Sequence, residues 1–468
     1  MDIKVPDKVK FILKTLNEEG YEAFIVGGCV RDMYRNTLPK DWDITTSAKP
    51  LEVKKLFKKT LDTGLQHGTV TVMLDGEGFE VTTYRLDGDY SDHRHPEEVT
   101  FTSDLVEDLK RRDFTINAMA YNETTGVVDC FNGLEDLKNG IIRCVGNPED
   151  RFEEDALRML RAIRFASQFD FVIEENTYKA IKRKAPNLQY ISAERIKVEF
   201  DKILLSKHPK KLIDAYESGI TKVVLPEFDE MMITRQENPN HIYNVGPHTI
   251  CAIESLDYVL DNSDKIFDKD DILYNIKANE KDRLILKWTL LLHDVAKPLC
   301  KTMDDNNIAH FKMHDVVGCK KADEILQRLK SDNYTRNLAI LLIKYHDYRF
   351  TNKMIPLRRA LSKIGTDNIK YLFIIKICDV MAQNPDTHKE KFEDLRVSRE
   401  KMKIIIDKAD CLTVKSLNIK GNDIMNISGK NGREIGECLK FLLEKVIDNP
   451  EDNNYDKLEE LTREYFKL

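Results

Sequence analysis

Phe24 to Thr46, FIVGGCVRDMYRNTLPKDWDITT, decides how this chain is read. A strand that ends in Gly27-Gly28 lets the backbone approach a phosphate closely, because no side chain intervenes. Asp41 and Asp43 stand at i and i+2, so on a strand both carboxylates point to one face, close enough to share a divalent ion. Together the two signals describe a site for metal-assisted phosphoryl or nucleotidyl transfer.

Outward from this stretch, the first ~140 residues mix helical and strand periods, which predicts an α/β unit. Lys8–Asn17, Val30–Tyr34 and Leu51–Phe57 read as helices, and Glu22–Val26 and Trp42–Thr45 as strands. Thr69–Leu74 and Phe79–Thr83 read as a hairpin across Asp75-Gly76-Glu77-Gly78. From Pro148 onward helical periodicity dominates. Asp150–Phe165 reads as one amphipathic helix with Leu157, Leu160 and Ile163 on a stripe. Breaks fall near Glu227–Pro247, Asp304–Asn307 and Lys401–Leu412. The expected class is α+β: a head over 1–145, a helical neck over 146–230, a second helical domain over 231–400 and a tail over 401–468.

A chain of 468 residues exceeds one hydrophobic core, in keeping with several domains. With 41% hydrophobic and 33% charged residues, its composition is that of a folded soluble protein. No apolar run approaches the ~18 residues of a membrane helix, and the opening MDIKVPDKVKF lacks a signal peptide's apolar core. The nine cysteines are scattered without a CxxC pair, so reduced thiols in a cytoplasmic protein are expected. A net charge of −7 argues against indiscriminate nucleic-acid binding. Locally, Arg195–Lys211 carries six basic residues against two acidic ones, and Lys179–Lys184 adds a second basic cluster. These are either a phosphate-tracking surface or ordinary solvated helix faces.

Further blocks follow the glycine pair and the acidic clamp in order. Val30-Arg31-Asp32 places an arginine on the first helical turn. Arg111-Arg112-Asp113-Phe114-Thr115-Ile116-Asn117-Ala118 comes next, then Glu154-Asp155-Ala156-Leu157-Arg158 with Arg161 and Arg164 at one-turn spacing, then Ser192-Ala193-Glu194-Arg195-Ile196. From spacing alone, Asp155 and Arg158 share one helix face and read as a surface salt bridge. The series as a whole, with the tail block KSLNIKGNDIM, resembles the class II tRNA nucleotidyltransferase and bacterial poly(A) polymerase family over nearly the whole chain.

That resemblance implies Mg²⁺ held by Asp41 and Asp43, and a triphosphate cradled by Gly27, Gly28 and Arg31. It places Arg111, Asp113 and Asn117 in the nucleotide pocket, with Arg161 and Arg164 on phosphates. It makes Asp155 and Arg158 the readers of the Watson–Crick edges of CTP and ATP. The partner it implies is the tRNA acceptor end, with no membrane and no DNA. Poly(A)-adding and A-adding members, or a chain that is mainly an HD metal-dependent phosphohydrolase, remain the alternatives. The segment Tyr84–Pro96 is similar to the full-length loop of enzymes that add both C and A, and its His93 and His95 read as solvated.

Six of the eleven histidines fall between His241 and His346. One lies in Trp288–Pro298, WTLLLHDVAKP, where a charged Asp inside an apolar helix is costly unless paired or metal-bound. The set His248, His293, Asp294 and Asp379 resembles the metal site of HD phosphohydrolases, with His314 and His346 matching additional histidines. It implies a second divalent transition metal, because mixed His/Asp ligation suits Mn, Fe, Co, Ni or Zn better than Mg. A catalytic centre for phosphate or 2′,3′-cyclic phosphate ends and a purely structural relic are both compatible with it.

Overall fold

The computed structural model describes residues 4–87 and 99–468. Residues 88–96 of the segment expected to be a substrate loop, with His93 and His95, lie outside the described residues. The chain forms two compact units, Met1–Asp229 and Glu230–Leu468.

The first unit opens with α1 (Asp7–Glu18), which buries Val9, Ile12, Leu13 and Leu16, the i, i+3, i+4, i+7 stripe of an amphipathic helix. Its first nine strands are β1 (Ala23–Val26), β2 (Ile44–Thr46), β3 (Thr60–Gly64), β4 (Thr69–Leu74), β5 (Glu77–Thr83), β6 (Arg85–Asp87), β7 (Val99–Phe101), β8 (Met119–Asn122) and β9 (Gly126–Asp129). Seven of them make one sheet in the order β3-β4-β5-β2-β1-β8-β9, in which only β2 and β5 pair in parallel. β1 is buried on both faces. Ile25 joins a core with α1 and with α2 (Gly28–Tyr34) and α3 (Pro50–Leu56), whereas Phe24 and Val26 pack with Leu105 and Leu109 of α4 (Leu105–Lys110).

The local expectations need three corrections. Pairing of β1 with β2 starts at Ile25↔Ile44, so the second strand begins at Ile44 rather than Trp42, and Asp41 and Asp43 stand at its mouth. The β4–β5 turn is only Asp75-Gly76, because both residues take positive φ (50° and 85°) and match the twist of the strands. The single helix expected over Asp150–Phe165 is two, α6 (Pro148–Glu154) and α7 (Leu157–Phe169). The chain turns extended at Asp155 (φ −142°, ψ 103°), whose side chain accepts a hydrogen bond from Leu157 N–H at 3.0 Å and so caps α7.

After α7 the neck continues through α8 (Glu175–Lys184) and α9 (Ala193–Leu204). The second unit is almost wholly helical, with one apolar core in its C-terminal part around Leu417, Ile424, Leu442, Val446 and Leu458. Its helix His388–Asp407 ends inside the stretch Lys401–Leu412, where a break is expected. Among the described residues no helix is long and apolar enough to cross a membrane.

Candidate functional site

The head builds its site where β1 gives way to α2. Gly27 sits at φ 79°, a conformation L side chains rarely adopt, and a Cβ there would stand 3.0 Å from Nη1 of Arg112. Val26 N–H donates to the Asp43 carbonyl at 3.0 Å, which seats the acidic clamp beside the glycine turn. The Asp43 carboxyl is held above the ordinary carboxylate range, first by loss of solvent and then by the charge of Asp41, with Arg112 opposing.

Sequence reasoning missed Glu80. The parallel pairing Ile44↔Val81 carries Glu80 alongside Asp43, and strand alternation turns it away from buried Phe79 and Val81. The alternation was visible in the sequence, but the pairing of β5 with β2 was not. A cavity of about 220 Å³ has Asp43 and Glu80 among its lining residues together with Thr69, Thr82, Arg85, Arg111 and Arg112. Oxygen donors therefore share one small space with guanidinium groups, an arrangement that can take a cation and a polyanion together.

Arg111 and Arg112 rest on Asp108, another residue that sequence reasoning missed. Arg111 donates through Nε and Nη2 to Asp108 Oδ1 at 3.0 and 2.8 Å, and Arg112 Nη2 donates to Oδ2 at 3.4 Å. Burial would push the fully buried Asp108 carboxyl up, but the two guanidiniums outweigh it and hold the carboxyl below its usual range.

A second network differs from the expected triphosphate cradle. Arg31 is buried, with Nε and Nη2 on Asp32 Oδ1 (2.9 and 2.8 Å) and Nη1 donating to Asn117 Oδ1 at 2.6 Å. Asn117 Nδ2 donates to Asp113 Oδ1 at 3.1 Å, and Arg161 donates to Asp113 Oδ2 at 2.8 and 2.6 Å. Burial opposes the Asp113 charge, yet Arg161 holds its carboxyl down to about 2. Arg164 pairs with Glu199 at 2.6 Å and lies 3.9 Å over the Phe165 ring, and burial lowers it to about 10. Arg31 in turn lies over Phe165 and Phe169 at 5.3 and 4.8 Å. Arg31, Asp113, Asn117, Arg161 and Arg164 thus brace the head against α7, and their charges are balanced within the protein.

Asp155 and Arg158 are not the i,i+3 pair of one helix face that their spacing suggests, because the helix breaks at Asp155. Asp155 Oδ2 accepts from Arg195 at 2.7 Å, while Arg158 donates to Glu154 Oε2 at 2.6 Å and to the Arg111 carbonyl at 3.1 Å. The Glu154-to-Arg158 block therefore touches the arginine block directly. In the basic cluster of α8, Lys179 pairs with Glu175, Lys184 with Glu153 and Arg183 with Glu149.

The second unit gathers all of its predicted ligands. His248 Nε2 lies 2.9 Å from Asp379 Oδ1 and 3.6 Å from Asp294 Oδ2, and His293 Nε2 lies 3.2 Å from Asp294 Oδ2. His314 and His346 approach the other oxygen, Oδ1, each at 3.6 Å. Every one of these imidazoles has Nδ1 on a main-chain carbonyl: Ala382, Leu290, Phe311 and Ile343, at 3.1, 2.6, 2.7 and 2.6 Å. A carbonyl accepts only, so each neutral ring carries its proton on Nδ1 and turns a lone pair inward. The Nε2 atoms of His314 and His346 are 3.1 Å apart, where two lone pairs repel unless a cation lies by them. The donor set fits a divalent metal of the transition series, with Asp294 common to both groups of ligands. Lys297, unread in the sequence, adds its ammonium 2.7 Å from Asp294 Oδ2 and donates to Gln236 at 2.8 Å.

Fold and sites together give a mixed-sheet head with a small cavity of carboxylates and guanidiniums, a helical neck, and a helical unit with a buried His/Asp cluster. Family models agree: a poly(A) polymerase head domain matches residues 23–143, a probable RNA- and SrmB-binding site of polymerase A matches 170–232, and an HD domain matches 259–384. By these matches the chain resembles the tRNA nucleotidyltransferase/poly(A) polymerase family. A CCA-adding enzyme of Lactobacillus helveticus is 51% identical over 228 residues, 48% of this chain and 57% of that protein. One of Limosilactobacillus reuteri is 54% identical over 198 residues, 42% of this chain and 49% of that protein. The chain thus spans about half the length of the curated relatives it matches. Among solved structures, the Bacillus stearothermophilus CCA-adding enzyme in complex with CTP superposes with a TM-score of 0.67 at 25% identity, covering 99% of this chain and 98% of that one. The Thermotoga maritima CCA-adding enzyme complexed with tRNA shares the fold, with a TM-score of 0.59 at 22% identity over 98% of this chain and 95% of that one.

Proposed function

We propose that the chain adds cytidine and adenosine to the 3′ end of tRNA from CTP and ATP, without a nucleic-acid template, in the cytoplasm. The observation that carries this reading is the cavity in which Asp43 and Glu80 meet Arg85, Arg111 and Arg112. Asp41 and Asp43 are the residues that would hold Mg²⁺, which when bound supplies charge neutralisation for the triphosphate and activation of the RNA 3′-hydroxyl. Arg111 and Arg112 receive the triphosphate, whose β- and γ-phosphates leave as pyrophosphate. Gly27 keeps the wall beside it free of a side chain. Asp155 and Arg158 present a carboxylate and a planar guanidinium to the base, and Arg195 and Glu154 fix their orientation. The names of the relatives support tRNA as acceptor, and DNA has no part in the reading.

The test is incubation with Mg²⁺, radiolabelled CTP or ATP, and tRNA ending at the discriminator base, at CC or at CCA. Two C and one A followed by a stop supports CCA addition. Processive A tails would make the chain a poly(A) polymerase.

A second activity rests on the Asp294 cluster. Its imidazole lone pairs and carboxylates favour hydrolysis of a phosphomonoester or a 2′,3′-cyclic phosphate on an RNA end, which would prepare that end for nucleotide addition. Phosphate release stimulated by Mn²⁺, Co²⁺ or Ni²⁺ and lost in His293→Ala supports it. If no divalent metal gives either phosphate release from a phosphomonoester end or ring opening of a cyclic end, the cluster has a structural role.

A further inference from the structure

Asp108 has no part in the reading above, yet it sits at the junction of every element of the head site. It lies on α4 and is fully buried, and it receives Arg111 and Arg112 from the block that follows. Thr45, the residue after Ile44 on β2, has Oγ1 3.2 Å from Asp108 Oδ2. The N–H of Arg85 donates to Oδ1 at 3.4 Å. One carboxylate thus carries two guanidiniums, and both guanidiniums line the cavity that also contains Asp43 and Glu80.

The arrangement is electrostatically competitive. Arg112 lines the same cavity as Asp43 and Glu80, and its Nη1 reaches the turn at Gly27, next to the Val26 N–H that holds the Asp43 main chain. Without Asp108, the carboxylates facing Arg112 in that cavity would be those of Asp43 and Glu80. A guanidinium resting on Asp43 takes up the acceptor oxygens that a divalent ion needs and cancels the charge that attracts it.

We infer that Asp108 is a positioning residue that keeps Arg112 off Asp43, so that the clamp stays open to a divalent ion while the arginines stay open to a triphosphate. The inference rests on the reading of Asp43 as an ion-binding carboxylate. It assigns to one buried side chain the separation of positive and negative charge within a cavity of about 220 Å³. In Asp108→Asn the amide keeps the volume and can still bond Thr45, but holds no cation. Arg112 then swings to Asp43.

The measurement is Mn²⁺ binding to the full chain, followed by the electron paramagnetic resonance signal of free Mn²⁺. Ions bound by the parent chain but not by Asp43→Ala define the head site and separate it from the Asp294 cluster. Asp108→Asn is expected to weaken that site about tenfold, the usual effect of one displaced opposite charge beside a carboxylate. The Mn²⁺ concentration for half-maximal nucleotide addition rises in parallel. The double variant Asp108→Asn/Arg112→Gln removes the released cation with its counter-ion and is expected to regain the parent affinity. A purely structural Asp108 predicts no such recovery.

Unchanged Mn²⁺ affinity in Asp108→Asn, or a folded double variant that stays weak, overturns the inference. Should the single variant lose the native circular-dichroism spectrum, the double variant decides alone. If Asp43→Ala binds as much Mn²⁺ as the parent chain, the metal reading of Asp43 itself fails, which is a different outcome.

Discussion

The two units treat their carboxylates in opposite ways. In the head, Asp108 and Asp113 are buried with arginines already in place, and each carboxyl is pulled below its usual range by the cation the protein supplies. In the second unit, Asp294 and Asp379 face imidazole nitrogens that offer lone pairs, with Lys297 on Asp294 as the fixed cation. Asp41 and Asp43 make a third case, an acidic clamp at the edge of a cavity. Where arginines alone face it, the carboxylate builds geometry. Where imidazoles or other carboxylates stand beside it, as around Asp294 even with Lys297 in place, the site can take an ion from outside. A buried cluster with four imidazoles has the donor set of a firmly held divalent metal, whereas an open clamp of hard oxygen donors has that of an ion able to exchange.

The largest effect falls on the open clamp. Asp43→Ala is expected to lower nucleotide incorporation by about three orders of magnitude or more, because the charge that positions metal and triphosphate is lost. Phosphate release at the Asp294 cluster is expected to persist in the same protein. Loss of both activities in a folded variant would break the separation of the two sites. Next comes Asp294→Asn, which removes the ligand common to both histidine groups. Metal content measured by mass spectrometry after gel filtration should fall to background, while CTP incorporation in added Mg²⁺ stays near the parent level.

Third in size is the base-reading block. Asp155→Asn retains a cap for α7 but loses the charge that holds Arg195. Incorporation of C against A onto tRNA acceptors should shift by about tenfold, the effect of one rearranged hydrogen-bond pair with a base edge. Equal losses for CTP and ATP would mean that Asp155 only caps the helix.

Much of this was legible in the sequence, and what was not has physical causes. Gly27, Asp41 and Asp43 could be read because glycine permissiveness and the two-residue period of extended chain are local properties. The histidine cluster could be read because charged groups in the apolar helix around His293 demand partners. Glu80 escaped notice because its place depends on the parallel pairing of β2 with β5, a long-range fact. Asp108 was within reach as an i,i+3 and i,i+4 partner of Arg111 and Arg112, but its burial and its bonds to Thr45 and the Arg85 N–H depend on long-range packing. The break at Asp155 was within reach, since an aspartate two residues before a helical run is a capping signal. The apolar stripe of Leu157, Leu160 and Ile163 extended smoothly backward across it and hid the boundary.

The smallest predicted effect tests the satisfied kind of carboxylate. The Asp113 carboxyl lies at about 2 in the folded protein against an ordinary value of 3.8, because Arg161 and Asn117 bond its charged form and outweigh the burial that opposes it. A folded value below the unfolded one means stability that is complete above pH 3.8 and lost as pH falls toward 2. The amount is about 2 kcal/mol. Asp113→Asn should therefore unfold at lower urea than the parent chain at pH 7, with the gap narrowing steadily between pH 4 and pH 2 and closing there. The Asp294 cluster gives no such cancellation, since adding metal at pH 7 stabilises the parent and Asp113→Asn equally. A gap that stays constant with pH would show that the introduced amide costs packing rather than charge, and that Arg161 is held by Phe165 and Glu199 without Asp113.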